Sequence, residues 1–366
     1  MSVYQVHWFD HEGGKKGIFQ VPVSLEYVRT VNDVGSLIIT FPRAFYQYED
    51  FAVGDMLELW REKNGNVTIQ NETAYFLQDW EFFMDNDGAE YVRLTAFDAN
   101  WLLDTRLTWA KGGSTGSNKT DYPDDMMKAI VSDQMLTNAT KPERNLPITC
   151  APDLSAGGAQ ITKEFPYRSV LAVIKEIAET AEENGVWVGF DVVRTGVGTF
   201  QFRTYTGQRG MDHGRSSGDP RFVGKQYGNF SQATFGEFHA EERNVILVGG
   251  EGEGSARVLV ERKNEDRIGA SQWNRREYFV DASDSEESDA LEVEGDAALC
   301  KFKPKQVLTG TMHDTPGMQY GVHYGFGDIL SVEAFGYFVD CHVKSVRVRV
   351  DQDGGEQLDI KLRGEL

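Results

Sequence analysis

The amino-acid sequence predicts a β-rich α+β protein. Two similar small β-barrel domains are expected, with α+β domains inserted between and around them. Three observations carry this reading. Short alternating apolar runs, separated by Gly, Asn and Asp turns, fill the first hundred or so residues. Two stretches in the middle of the chain place apolar residues at helical spacing. A Gly-Asp-led series of strands near the amino end returns near the carboxyl end.

In chain order, Ser36 to Phe41 is apolar and β-branched, and Pro42 is expected to end that strand. Asp55 to Trp60 follows Gly54 and turns at Asn64-Gly65. Ala74 to Phe83 forms the next strand, Asn86-Asp87-Gly88 turns it, and Glu90 to Ala96 returns. Residues 1–98 therefore read as a first barrel. Asp98 to Arg106 has the character of a helical turn, and a Gly-rich loop covers Gly112 to Thr120. Pro123 suits the first turn of a helix carrying Met126, Met127, Ile130, Val131 and Met135. Val170, Leu171, Val173, Ile174, Ile177, Ala178 and Ala181 form a second stripe, which stops at Asn184-Gly185. A hairpin through Gly196-Val197-Gly198 follows, so residues 99–218 read as an α+β unit. Residues 219–305 are strand-rich, with strands at 244–248, 257–261 and 277–280. An acidic run from Ala282 to Asp289 then leads into a helix that buries Leu291, Ala297, Ala298 and Leu299. Residues 306–366 complete the second barrel.

The repeat aligns Phe51 to Leu59 with Tyr324 to Val332. It continues with Tyr75 to Trp80 against Tyr337 to His342, and Asp85 to Gly88 against Asp351 to Gly355. Tyr91 to Ala96 against Gln357 to Leu362 closes it. Gly54, Asp55, Gly327 and Asp328 are singled out as structural turn residues of the repeat, because Gly-Asp before a strand is ordinary turn chemistry. Two copies of one barrel in each subunit of a trimer would place six similar units in a ring, which suits a sixfold partner.

Charge narrows the function. With 57 Asp+Glu against 37 Lys+Arg, the net charge is −20. Such a chain argues against a nucleic-acid binder, whose affinity comes from neutralising phosphates. The 40% apolar content argues equally against a disordered acidic tail. No secretory signal and no membrane-length apolar run is visible. Cys150, Cys300 and Cys341 are expected to be reduced and buried.

Motifs for chemistry fall short. Gly113 to Thr120 nearly spells a phosphate-binding loop, but Asn118 stands where the glycine before Lys119 is needed. Gly249 to Gly254 has the wrong spacing for a dinucleotide fingerprint and reads as a hairpin turn. His7 and His11 lie on strand and turn, where they do not share a face. No catalytic residue, metal site or cofactor is assigned. Trp60, Tyr75, Phe76, Trp80, Phe82, Phe83 and Trp101 are expected to pack the first barrel.

The order of features resembles the tail-tip (baseplate) hub proteins of tailed bacteriophages, especially siphoviruses. Asn32 to Ile39, Val53 to Leu59, Trp101 to Arg106, the helix from Val170 to Ala181, Tyr227 to Phe230, Asn244 to Gly250, Arg275 to Glu277 and Tyr324 to Ile329 carry the resemblance. It implies a homotrimer at the distal end of the tail, in the virion, made in the host cytoplasm. Its two barrels would face the hexameric tail tube or distal tail protein, and its far side would carry a fibre, spike or receptor-binding protein. Phage DNA would pass through without sequence-specific binding, past acids lining the lumen. Some relatives carry an appended peptidase or lysozyme domain; none is expected after Leu366. The alternatives from other classes are a tail-associated cell-wall or glycan hydrolase and a carbohydrate-binding module.

Overall fold

Strict alternation of apolar and polar residues dictates the main layer, because successive strand side chains point to opposite faces. The computed structural model describes residues 2–20, 23–63, 66–69, 73–109, 118–136, 139, 141–165, 167–252, 254–282 and 288–365. The chain begins with β1 (Ser2–Phe9), β2 (Lys15–Gln20), β3 (Ser24–Thr30), β4 (Ser36–Pro42), β5 (Met56–Lys63), β6 (Asn66–Ile69), β7 (Tyr75–Met84) and β8 (Glu90–Asp98). The expected turn at Asn64-Gly65 lies outside the described residues. The segment after Asp98 is a 3-10 helix, Ala99–Thr105, capped by the Asp98 carboxylate on the Asn100 amide.

The inserted unit holds β9 (Asn118–Asp121), α1 (Pro123–Met135), β10 (Ile148–Cys150), β11 (Ile161–Glu164), α2 (Val170–Glu183), β12 (Val188–Gly196) and β13 (Thr199–Thr206). Pro123 stands at the start of α1, and the Ser169 hydroxyl caps α2. Gly185, with φ of +84°, ends α2 as the sequence predicts. The apolar stripe of α2 packs on α1 and the β12–β13 hairpin in a core with Phe165, Phe190 and Phe202. Asn32 and Asn100 bind β12 to the first sheet: Asn32 donates to the Val188 carbonyl and accepts from the Phe190 amide, and Asn100 accepts from the Val192 amide.

Next come β14 (Asp212–His213), β15 (Phe222–Gly224), β16 (Phe230–Phe238), β17 (Val245–Gly249), β18 (Leu259–Lys263), α3 (Glu265–Gly269), β19 (Glu277–Asp281) and α4 (Ser288–Lys301). The chain finishes with β20 (Lys305–Met312), β21 (Ile329–Ala334), β22 (Tyr337–Val350) and β23 (Glu356–Glu365). Strands β18, β17 and β19 form a small separate sheet covered by α4, with Ile246, Val248, Leu291 and Ala298 as its core.

One result departs from the expected pair of barrels. Among the described residues no closed barrel is found; the strands of both regions join in a single 15-stranded sheet. Its main path is β16-β20-β23-β22-β3-β4-β8-β7-β5-β1-β2. The join is β22 with β3, antiparallel from Ser345 opposite Thr30 to Val350 opposite Leu25. The physical reason is that a strand edge left unpaired exposes a row of amides and carbonyls, and pairing two such edges satisfies both. One continuous core, including Leu25, Tyr27, Leu94, Val346, Val348 and Ile360, runs beneath both halves. The cysteines also differ from expectation: Cys341 is buried and Cys150 half-buried, but Cys300 is exposed. α4 turns only a narrow face, with Leu291 and Ala298, toward its sheet, and Cys300 lies off it. Among the described residues no helix is long and apolar enough to cross a membrane.

Candidate assembly site

The two Gly-Asp turns are built bond for bond alike. The Asp55 amide donates to the Ala52 carbonyl, and the Ala52 amide to the Asp55 carboxylate. The Gly54 amide donates to the Leu77 carbonyl, and the Leu77 amide to the Asp55 carbonyl. In the second copy Asp328 makes the same exchange with Gly325, and Gly327 and Asp328 the same exchange with Val343. Both glycines take a left-handed φ, +89° at Gly54 and +83° at Gly327. Both aspartates are buried. They differ in their outer partners. Asp55 receives the Trp8 indole at 2.9 Å and the Lys16 ammonium at 3.0 Å. Asp328 receives the Met211 amide at 2.7 Å. The two turns lie in separate copies and are not parts of one site.

The correspondence extends through the sheet. β7 has a bulge between Leu77 and Asp79, and β22 has one between Val343 and Ser345. The turns at Asp85 and Asp351 carry the same four hydrogen bonds. Leu77 thus corresponds to Val343 and Tyr75 to Cys341, four residues from the alignment of Tyr75 with Tyr337 read off the sequence. Aromatic identity misled that alignment, whereas the bulge sets the true register. β3, β4, β8, β7 and β5 stand in the same spatial order as β16, β20, β23, β22 and β21.

This correspondence exposes two unfilled edges. In the second copy, β22 is covered by β3, and Val346, Val348 and Val350 are at most 7% exposed. Their counterparts on β7 are Trp80, Phe82 and Met84. Among the described residues no strand pairs with that side of β7 beyond Leu77. Met84 is 61% exposed and Trp80 and Phe82 only half-buried. The counterpart of β3 is β16, whose outer edge is likewise unpaired among the described residues.

Beneath the join lies an ionic junction. Asp191 of β12 accepts from Arg29 of β3 at 2.6 Å and from Arg209 at 2.6 and 3.0 Å. All three side chains are at most 9% exposed. Phe326, from the loop before β21, lies against both guanidiniums, at 4.4 Å from Arg29 and 4.8 Å from Arg209. The two cations hold the Asp191 carboxyl below the usual carboxylate range despite its burial. Asp98 behaves oppositely: burial, reinforced by Asp191 and only partly offset by Arg29, pushes it up to about 7. A carboxyl raised in the fold favours its protonated form there. Its stabilising contribution is complete below about pH 4 and is lost as pH rises through about 7. Asp98→Asn keeps the cap and removes the charge. Thermal melts of this variant are expected to lose less stability than wild type between pH 5 and 8, a gain above 1 kcal/mol at the upper end. A parallel pH profile in variant and wild type would contradict the assignment.

With this geometry in place, comparisons place the chain among known proteins. The model of the siphovirus ReqiPepy6 Gp37-like family matches residues 5–362. The chain belongs to that family. Three solved tail proteins share its fold. The tail protein from Neisseria meningitidis MC58 is 13% identical, with a TM-score of 0.58 over 99% of this chain and 96% of that one. The 43 kDa tail protein of prophage MuSo2 from Shewanella oneidensis is 10% identical, with a TM-score of 0.59 over 98% and 97%. The prophage tail protein gp18 from Listeria monocytogenes EGD-e is 10% identical, with a TM-score of 0.53 over 99% and 94%. No curated protein matches the chain. The resemblance to siphovirus tail proteins is thus established at the level of family and fold.

The remaining sequence features of this family member find ordinary places. Residues 113–117 of the near phosphate-binding loop lie outside the described residues, and Lys119 in β9 pairs with Asp133 at 2.7 Å. Gly249 ends β17, the residues after it begin the link to β18, and Glu253 lies outside the described residues. His7 stacks on Trp60 at 4.8 Å, while His11 sits in the following turn. Among the described residues no group of three or more His, Cys, Asp or Glu side chains is arranged to hold a metal ion. Trp60, Trp80 and Trp101 are half-buried against His7, Phe51 and Phe76, and make no flat exposed platform. The open face of the sheet around the β22–β3 join carries Arg93, Arg347, Arg349 and Lys361 against Glu26, Asp79, Glu81 and Asp359. Arg349 pairs with Glu26 at 2.7 Å and Arg93 with Glu81 at 2.6 Å. Around the join, most of these opposite charges are paired across the strands. Sequence reasoning missed the Arg29–Asp191–Arg209 junction. The available signal was alternation: Leu25, Tyr27 and Arg29 share one face of β3, so an inward Arg29 needs a buried acid.

Proposed function

We propose that the protein is a structural hub of a siphovirus tail. In this reading it is a homotrimer whose two barrel-like repeats per chain make a pseudo-sixfold ring around the DNA channel. The observation that carries it is the pair of unfilled edges. Inside one chain, the second copy's β22 pairs with the first copy's β3. The same contact made between chains joins β7 of one copy to β16 of the next. Such a head-to-tail contact either closes into a ring or grows into a filament. Closure after three chains gives six similar units, which fits a sixfold tail tube or distal tail protein on one side. The other side is left for a fibre, spike or receptor-binding protein. In this reading the open face of the sheet at the join lines the channel, where its paired charges would neither grip nor strongly repel the DNA backbone. Family membership and the shared tail-protein fold support this reading, and the half-exposed tryptophans give none to the carbohydrate-binding alternative.

The β22–β3 register specifies the contact between chains. Arg347 stands opposite Val28, and their counterparts are Glu81 on β7 and Thr234 on β16. Directly opposed Cα atoms in such a pair lie about 4.5–5.5 Å apart, within disulfide reach. In a Cys300→Ser background, the double variant Glu81→Cys, Thr234→Cys is expected to give a covalent trimer under oxidation. Shifting the second cysteine to Ala233 should abolish it. A ladder of larger species would instead indicate an open filament. An unlinked monomer, in a sample that light scattering shows to be trimeric, would refute this contact. A monomer by light scattering with the tail partners present would refute the hub.

A further inference from the structure

A cleft of about 630 Å³ opens where three parts of the chain meet: β3, the end of the inserted unit, and the loop before β21. In a chain with net charge −20, this cleft is lined by four arginines, Arg29, Arg203, Arg209 and Arg221. His213 and His323 add two imidazoles. Two acids, Asp219 and Asp328, share the lining, and with Asp191 behind it they number three against the four arginines. Asp191, behind the wall, is shared between Arg29 and Arg209. Asp328 is engaged by the Gly325 and Met211 amides and has the His213 Nε2 at 3.8 Å. Asp219 pairs with one Nη of Arg221 at 2.8 Å, while the buried Nε of Arg221 has no hydrogen-bond partner. Arg203 donates only to the neutral Gln201 amide oxygen, at 2.7 Å, and has no acid partner among the described residues.

The site is therefore a cationic spot with spare donors. Guanidinium groups pair best with planar or tetrahedral oxyanions, which accept two parallel hydrogen bonds. Its size matches sites for small organic ligands and exceeds what a bare ion needs. Tyr205 and Phe326 add aromatic surface beside the charges, each in contact with Arg209. We propose that this cleft binds an oxyanion, carboxylate or phosphate, borne on a larger organic group, with Arg203 and Arg221 as the charge-bearing contacts. Carboxylate would come from an acidic peptide segment, and phosphate from a phosphorylated small molecule. A ligand there touches both repeats and the inserted unit at once. It would raise the melting temperature by holding them together.

Three probes share one ring and separate the sources: benzoate, phenyl phosphate and neutral benzamide, titrated into the full chain by NMR and by thermal melting. Saturable binding of at least one oxyanion is expected, with benzamide about tenfold weaker or worse. Preference for benzoate points to acidic peptide, and preference for phenyl phosphate to a phosphorylated ligand. Arg203→Gln and Arg221→Gln should each weaken binding about tenfold, as the loss of a charge-assisted hydrogen bond does. Arg203→Lys, which keeps the charge, should weaken it less than Arg203→Gln. Circular dichroism of each unliganded variant establishes that it folds. No saturation by either oxyanion, equal binding of benzamide, or binding that survives both glutamine substitutions would overturn the proposal.

Discussion

Asp191→Ala is expected to destabilise the protein by about 3–5 kcal/mol, because it removes the carboxylate that two buried guanidiniums share. Arg29 is 2% exposed and cannot swing to water. Its neighbours across the join, Val346 and Val348, are fully buried. The loss should appear as a lower urea midpoint. It should be larger than that of Glu81→Ala, whose partner Arg93 is exposed. Asp191→Asn should recover part of it, since an amide oxygen still accepts from Arg29 and Arg209. A loss below about 1 kcal/mol for Asp191→Ala would show that water reaches the junction and that the three parts of the chain are not locked there.

Gly35→Ala is the second large effect expected, at about 1–3 kcal/mol or more. A Cβ at Gly35 would stand 2.5 Å from the Asp98 carboxylate and 2.5 Å from the Val28 carbonyl. The carbonyl belongs to β3 and cannot rotate away. The carboxylate is the cap of the following 3-10 helix. The useful comparison is Gly88→Ala, where φ is +85° but nothing lies within 4 Å of the new methyl. That variant should cost only the strain of a left-handed alanine, about 1 kcal/mol. Denaturant midpoints that rank Gly88→Ala as the worse of the two would show that the β3–β4 turn relaxes freely.

Much of the local structure was legible. α2 follows from a stripe at helical spacing, a serine before it and Asn184-Gly185 after it, because periodicity and capping are properties of neighbouring residues. The hairpins at Asp85 and Asp351 follow from their glycines and self-bonding aspartates for the same reason. The alignment of Tyr75 with Tyr337 failed because a bulge leaves no residue-type signature, so matched aromatics outweighed it. The Arg29 junction stayed hidden because its acid lies 162 residues away, on a strand whose facing partner no local pattern names.

The sequence by itself determined the strands of the first meander from Ser36 on and the helices α1 and α2, though not β2, β3 or β16, and it determined that two stretches repeat and that the protein resembles siphovirus tail proteins. These rest on short-range spacing and on the order of elements. Only the tertiary structure decided that both repeats share one sheet, that Asp191 sits between Arg29 and Arg209, and that β7 and β16 are left with open edges. Strand pairing is a contact between distant backbones, and every backbone carries the same donors and acceptors. Which edge meets which is therefore set by the packing beneath the strands, and becomes visible only once the chain is folded.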